Sequence, residues 1–330
     1  MLSAAELRKR AIAAGFPAVG FARVEPLAAG PLDAWLANSF AADMAWMAEH
    51  RDERLDVTRL LTGAKTVIAL GLPFPTQGEG VVARYARGRD YHGILRDRLR
   101  KLRKPLQRDF PELGTYASVD WNPVMEKLWA ERAGLGFIGK HSLLIHPKWG
   151  SQILLGTLIL DAEVDTYDTP LQRQCGSCTL CLAACPTKAI VEPGVVDARR
   201  CLSYQTIENA GSIPDPLRSA MKLTVFGCDA CQTCCPWNQK APPPDDGAFR
   251  LRPLSELSAR EFASMTEADY ARLVPGSALA RAGFHGLRRN ALLALGAQRE
   301  VGARELVERL CADPEPIVRE AAEWAREQLR

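Results

Sequence analysis

The sequence predicts an α/β domain, then a cysteine-rich metal-binding module, then a short all-helical region. Three observations carry this: from Ala18 to about Leu160 short apolar runs alternate with helix-length stretches, from Gln174 to Trp237 cysteine spacing dominates, and after a proline-rich stretch only helical patterns remain. At 330 residues the chain is long enough for two or three domains. The boundaries fall at 1–165, 166–245 and 246–330.

The first residues, MLSAAELRKRAIAAG, read as an amphipathic helix, with Ser3 and Glu6 as a capping box and Gly15 closing it. They lack the apolar core and small-residue cleavage site of a signal peptide. AVGFARV follows as a strand, then a helix through Trp35 and Trp46, the strand KTVIALGL, a basic helix from Asp90, a helix from Pro123 and the strand ILLGTLIL. APPPDDG, residues 241 to 247, is a linker. Beyond it RRNALLALG, ARELVERL and EPIVREAAEWAREQL are separated by Gly and by Asp313-Pro314. Paired short helices of this kind resemble HEAT repeats, of which one and part of another fit; a plain helical cap is the alternative.

No apolar stretch approaches the ~20 residues that span a bilayer. The expectation is a cytoplasmic protein with no membrane partner, where thiols stay reduced and clustered cysteines bind metal more often than they pair. Lys plus Arg number 42 against 39 for Asp plus Glu, so the total charge of +3 announces no nucleic-acid partner. Local charge does. Between Arg84 and Arg108 stand ten basic residues (Arg84, Arg87, Arg89, Arg96, Arg98, Arg100, Lys101, Arg103, Lys104, Arg108) against Asp90 and Asp97. A charge run is usually a solvated helix face, but this concentration suits a phosphate backbone, with Arg281, His285, Arg288 and Arg289 as a possible extension.

Eight of the ten cysteines carry the chemistry. Cys175-x-x-Cys178-x-x-Cys181-x-x-x-Cys185-Pro is the bacterial ferredoxin run, in which three cysteines ligate one four-iron cluster and the fourth reaches a second. Cys228-x-x-Cys231-x-x-x-Cys235-Pro supplies two more ligands to the second cluster and one to the first, and Cys201 completes the count. One 4Fe-4S cluster is then held by Cys175, Cys178, Cys181 and Cys235, the other by Cys185, Cys201, Cys228 and Cys231. Paired structural zinc sites also use Cys-x-x-Cys, but fit the Cys-Pro endings and the third cysteine of each run poorly. Cys234 stands beside Cys235 and could replace it, although Cys235 has the ferredoxin spacing and the following proline. Cys311 is expected to be a small buried hydrophobe.

The chain closely resembles the epoxyqueuosine reductases, cobalamin-dependent enzymes that finish queuosine in tRNA. The resemblance runs through ARYARGRDYH (83 to 92), VDWNPVMEK (119 to 127), ERAGLGFIGKHSLLI (131 to 145), CGSCTLCLAACPTKAI (175 to 190), CLSYQTIE (201 to 208), GCDACQTCCPWN (227 to 238) and RRNALLALG (288 to 296). The departure is Cys234, where the family usually has an apolar residue. The resemblance implies a nitroreductase-like first domain holding cobalamin against the ferredoxin-like module. It also implies loss of an epoxide oxygen as water from the modified base at the tRNA wobble position, with two electrons and two protons from an unidentified low-potential donor and the solvent. It further implies that Asp120 donates the proton to the opening epoxide, a role that asks for a carboxyl kept protonated. By residues alone, Asp120 before Trp-Asn-Pro is a helix cap. Arg54, Tyr91, His141, Ser203 and Asp229 are implied to border the corrinoid; His141 is expected to be a hydrogen-bonding residue and not a cobalt ligand, and Asp229 is also placed to satisfy N–H groups of the cluster loop. The chain is expected to be a monomer. Rival functions are a corrinoid reductive dehalogenase and a ferredoxin-like electron carrier without a substrate.

Overall fold

The computed structural model describes residues 1–74, 79–242 and 246–330. Its centre is a four-stranded sheet of β1 (Ala18–Arg23), β2 (Thr66–Pro73), β3 (Thr115–Ser118) and, last in sequence, β6 (Ile153–Leu160), in the order β1-β2-β6-β3 with every neighbouring pair antiparallel. All eight residues of β2 are buried, which a strand reaches only when both faces of its sheet are covered. The alternation is strict: Ile68, Leu70 and Leu72 pack on α1 (Ala4–Ala13) and α5 (Tyr91–Asp109), whereas Val67 and Ala69 pack on the side of α2 (Ala29–Ala37), α4 (Arg51–Leu55) and α6 (Glu126–Arg132).

The helix expected through Trp35 and Trp46 is broken. Ser39 and Ala42 take positive φ values of 55° and 51°, and a separate short helix, α3 (Trp46–Glu49), follows. The helix expected from Pro123 begins three residues later, at Glu126. β3 and the small hairpin β4 (Phe137–Ile138) with β5 (Leu144–Ile145) were not legible as strands.

The cysteine module is built of short pieces: α7 (Leu180–Ala184), the hairpin of β7 (Ile190–Glu192) and β8 (Val195–Val196), α8 (Leu202–Ile207), α9 (Asp215–Arg218), α10 (Ala230–Thr233) and α11 (Pro236–Gln239). The helical end comprises α12 (Ala259–Ser264), α13 (Glu267–Leu273), α14 (Gly283–Gln298), α15 (Arg304–Leu310) and α16 (Pro316–Gln328). These last two regions share one core. Leu202, Met221, Val225 and Phe226 of the module pack with Phe262, Leu292, Val318 and Ala322 of the helices, and Val82 of the first region joins them through a bridge to Phe226. Cys311 packs against this core, its thiol donating to the Val307 carbonyl at 3.4 Å. Of the predicted linker, Pro243, Pro244 and Asp245 lie outside the described residues. Among those described, no helix is long and apolar enough to cross a membrane.

Candidate active site and cysteine module

Short helices bring the eight cysteines into two groups. Cys175, Cys178, Cys181 and Cys235 line one cavity of about 200 Å³ together with Lys140, His141 and Trp237. Burial and neighbouring thiols push Cys181 up to about 11 and raise Cys235, whose neighbours are Cys175 and Cys178. In the second group, burial and the proximity of Cys201 and Cys185 push Cys228 up to about 11 and raise Cys231 further still. Thiols this buried and this close resist ionising unless a cation shares the site. The four thiols of the first group line a common space. That arrangement suits a polynuclear cluster, whose iron atoms supply the positive charge. Cys234 is not among the cavity-lining residues and donates its thiol to the Cys231 carbonyl at 3.5 Å.

The loops around these thiols are tied to the sheet domain. The Lys140 ammonium donates to the carbonyls of Gly176 and Cys178 at 2.8 and 2.9 Å. Asn238 accepts from the Ser151 N–H at 2.6 Å and donates to the Gln232 carbonyl at 2.7 Å. Asp229 accepts the backbone N–H of Arg84 at 2.8 Å on one oxygen and the Gln232 side-chain amide at 3.3 Å on the other, so it fastens the cluster loop to the 84–86 turn, and among the described residues its backbone donor is Arg84 and not the cluster loop as expected. Gly227, at φ 69°, permits that approach: a Cβ there would lie 2.5 Å from that of Ala83.

Asp120 lies on the loop between β3 and α6 in the left-handed region, at φ 53°. A non-glycine residue held there is uncommon, and such conformations concentrate at functional sites. Glu126, on the first turn of α6, holds the loop: its Oε1 accepts the Asp120 N–H at 3.0 Å and the Ser118 hydroxyl at 2.8 Å. Asp120 is therefore no helix cap; α6 starts without a side-chain cap. Its side chain, 63% exposed, accepts from the Tyr91 hydroxyl at 2.6 Å and lies 3.3 Å from His92 Nε2. Partial loss of water around the carboxyl works to raise its pKa, weakly at this exposure, and the hydrogen bonds from His92 and Tyr91 outweigh it and hold the carboxyl below the usual range. The balance favours the carboxylate form of Asp120, whereas its implied role asks for a proton on that group. The proton sits on His92. Burial works against that charge, but hydrogen bonds to Asp120 and Asp90 push the imidazole up to about 9.

Behind Asp120, loss of water around half-buried Glu126 pushes it up to about 7, and exposed Lys127 donates its ammonium to the Ser142 carbonyl at 2.9 Å. Arg54 is buried on the same side, its Nη2 donating to the Trp46 carbonyl at 3.4 Å, and it feels the charges of Glu126 and Asp120. His141 accepts the Leu143 N–H on Nδ1 at 3.2 Å, and burial beside Lys127 holds it down at about 4, a neutral ring with its proton on Nε2. Among the described residues, Arg54 Nε and His141 Nε2 are both buried without a hydrogen-bond partner. Ser203 sits on the first turn of α8, half-buried beside Cys201. His92, Glu126, Lys127 and Lys140 were missed by sequence reasoning, although all four lie inside the motifs that carried the resemblance.

The basic stretch is less uniform than its sequence. Arg98 is 14% exposed and forms an ion pair with Asp246 at 2.5 Å, Arg87 is buried with its Nε on the Val82 carbonyl, and Arg103 donates to Thr115. Arg100, Lys101, Lys104 and Arg108 remain exposed on α5. The supposed extension also fails in part: Arg289 is 2% exposed and donates to the carbonyls of Gln205 and Asn209, and Arg288 pairs with Asp313. Arg281 stays exposed, paired with Glu208 and lying over the Trp46 ring. A run of positive charge in sequence does not distinguish guanidinium groups that hold the fold from those that face water.

Residues 54–120 match the family described as epoxyqueuosine reductase QueG, and residues 174–238 match the 4Fe-4S double cluster binding domain. An epoxyqueuosine reductase of Gloeobacter violaceus is 42% identical over 310 residues, 89% of this chain and 96% of its own length. The fold superposes with a TM-score of 0.91, at 27% identity over 98% of this chain and 89% of the other, on a crystal structure of epoxyqueuosine reductase with an epoxyqueuosine-modified tRNA-Tyr stem loop. It also superposes, at 0.89 and 28% identity over 98% of this chain and 90% of the other, on an epoxyqueuosine reductase from Bacillus subtilis whose catalytic aspartate loop is swung out of the active site. This chain belongs to the epoxyqueuosine reductase family.

Proposed function

We infer that this chain reduces epoxyqueuosine to queuosine at the wobble position of tRNA, the last step of queuosine biosynthesis, in the cytoplasm. The observation that carries this is the near-complete superposition on a relative bound to the modified stem loop. The chain divides into a nitroreductase-like, cobalamin-binding layer over 1–165, a ferredoxin-like module over 166–245 and a HEAT-like helical region over 246–330.

Cys175, Cys178, Cys181 and Cys235 hold one 4Fe-4S cluster and Cys185, Cys201, Cys228 and Cys231 the other; the shared cavity of the first set supports this. Arg54, Tyr91, Asp120, His141, Ser203 and Asp229 border cobalamin. The buried, unpartnered Nε of Arg54 and Nε2 of His141 fit a bound group rich in oxygen acceptors. When bound, the clusters supply single electrons at low potential and cobalamin supplies the two-electron chemistry at the epoxide carbon.

The protein's own part is proton delivery and positioning. As the C–O bond of the epoxide opens, negative charge grows on the oxygen, and a proton donor within hydrogen-bond reach lowers that barrier. Asp120 is that donor, oriented by the Tyr91 hydroxyl and by the Glu126 bond to its own backbone. Exposed Lys101 and Lys104 meet tRNA phosphates, which position the stem loop without reading its sequence.

Mass spectrometry of tRNA nucleosides from cells lacking this protein tests the function. Epoxyqueuosine is expected to accumulate and to disappear when the gene is restored. Normal queuosine in the deletion strain would refute the assignment.

A further inference from the structure

Asp120 is one end of a chain of three side chains. Asp90 caps α5, accepting the backbone N–H of His92 at 3.0 Å, and the same carboxylate oxygen meets His92 Nδ1 at 2.7 Å. The far ring nitrogen, Nε2, meets Asp120 at 3.3 Å. The ring cannot turn freely. It is stacked between Tyr91 at 4.0 Å and Trp121 at 4.8 Å, and Arg96 lies 4.9 Å from the Trp121 ring centre. Two carboxylates on opposite nitrogens require both to be N–H donors, so the geometry holds an imidazolium. The His92 side chain is 16% exposed, enough to exchange with solvent.

We propose that His92 is the positioning residue that supplies Asp120 with the proton it passes to the substrate, Asp90 holding the opposite ring nitrogen. This rests on the role of Asp120 given above. As the epoxide C–O bond breaks, the His92 Nε2–H bond breaks to give its proton to the Asp120 carboxylate, whose new O–H passes it to the oxygen, so that Asp120 ends as a carboxylate again and the ring ends neutral. The neutral ring regains a proton from water. A second passage delivers the second proton, and with the two electrons of the reduction the oxygen leaves as water. Tyr91, whose hydroxyl binds the same Asp120 oxygen, orients the acceptor; burial and the Asp120 charge raise its own pKa far above neutrality, which leaves it no reservoir.

The charged and titratable groups facing the pair are Arg54 of α4, Tyr85, Asp90 at the cap of α5, Tyr91 and Arg96 on α5, Asp120 itself, Glu126 and Lys127 of α6, and Arg281. Of these, Glu126 is pushed to about 7, and it bonds the Asp120 backbone N–H and not the imidazole.

The test is the pH profile of single-turnover reduction of epoxyqueuosine tRNA by pre-reduced holoenzyme, with iron content and tRNA affinity measured on each sample. The wild type is expected to lose rate above about pH 9, where the imidazole gives up its charge. His92→Gln should be at least about tenfold slower at neutral pH and should lack that limb, and adding it to Asp120→Asn should slow the reaction no further. Asp90→Asn should move the limb to lower pH, and Glu126→Gln should leave its position alone. A limb that persists in His92→Gln, or additive losses in the double variant, would overturn the relay while leaving Asp120 in place. Normal turnover by Asp120→Asn would instead remove Asp120, and the relay with it. Should His92→Gln lose iron, Asp90→Asn decides alone, an unmoved limb refuting the proposal.

Discussion

Glu126 Oε1 accepts the backbone N–H of Asp120 at 3.0 Å, and through this one bond a half-buried carboxyl holds the left-handed conformation of the residue assigned to proton delivery. Burial pushes Glu126 up to about 7 from the ordinary 4.5, so the folded state disfavours its ionised form. The stability it contributes is complete below the ordinary value and is lost as pH rises through about 7. Glu126→Gln keeps the acceptor and cannot ionise. Its melting temperature should therefore fall less than that of the wild type between about pH 6 and 8, as followed by thermal denaturation at constant ionic strength.

Asp120→Asn should separate the proposed catalytic role from a purely local one. Asn tolerates the left-handed backbone as well as Asp does, so the loop should keep its shape. Single-turnover reduction by the variant, at full cofactor occupancy, should be on the order of a hundredfold slower. Near-normal rates would leave bound water as the proton source.

Cys234 and Cys235 are adjacent in sequence and both neighbour thiols of the first group, but of the two it is Cys235 that lines the four-thiol cavity, whereas Cys234 donates to the Cys231 carbonyl. Anaerobically purified wild type should contain about eight irons per chain. Cys234→Ser should match it, and Cys235→Ser should lose the first cluster, by iron analysis and electron paramagnetic resonance. Equal loss from both variants would contradict the ligand assignment.

Arg98 and Lys101 should behave differently despite sharing one basic helix. Charge reversal at Arg98 abandons Asp246 in a nearly buried pair and should destabilise the protein by about 3 kcal/mol. Lys101→Glu should leave stability unchanged and reduce the salt slope of tRNA affinity by about one or two units. Denaturation curves and binding titrations at several salt concentrations read both outcomes.

The 4Fe-4S module, matched over residues 174–238, was legible in sequence because cluster ligation imposes fixed local spacings, Cys-x-x-Cys-x-x-Cys and Cys-Pro, that other roles do not need. Strands β1, β2 and β6 were legible for a similar reason: each is a continuous apolar run with its own bounds. What the tertiary structure decided is which charges meet. His92 and Asp120 stand 28 residues apart, Arg98 and Asp246 stand 148 apart, and neither pair has a local signature. Protonation followed the same rule. Whether Asp120 or its neighbour carries the proton depends on the balance of burial against hydrogen bonds from α5, a balance that exists only once β3 and α5 bring the loop and the helix start together.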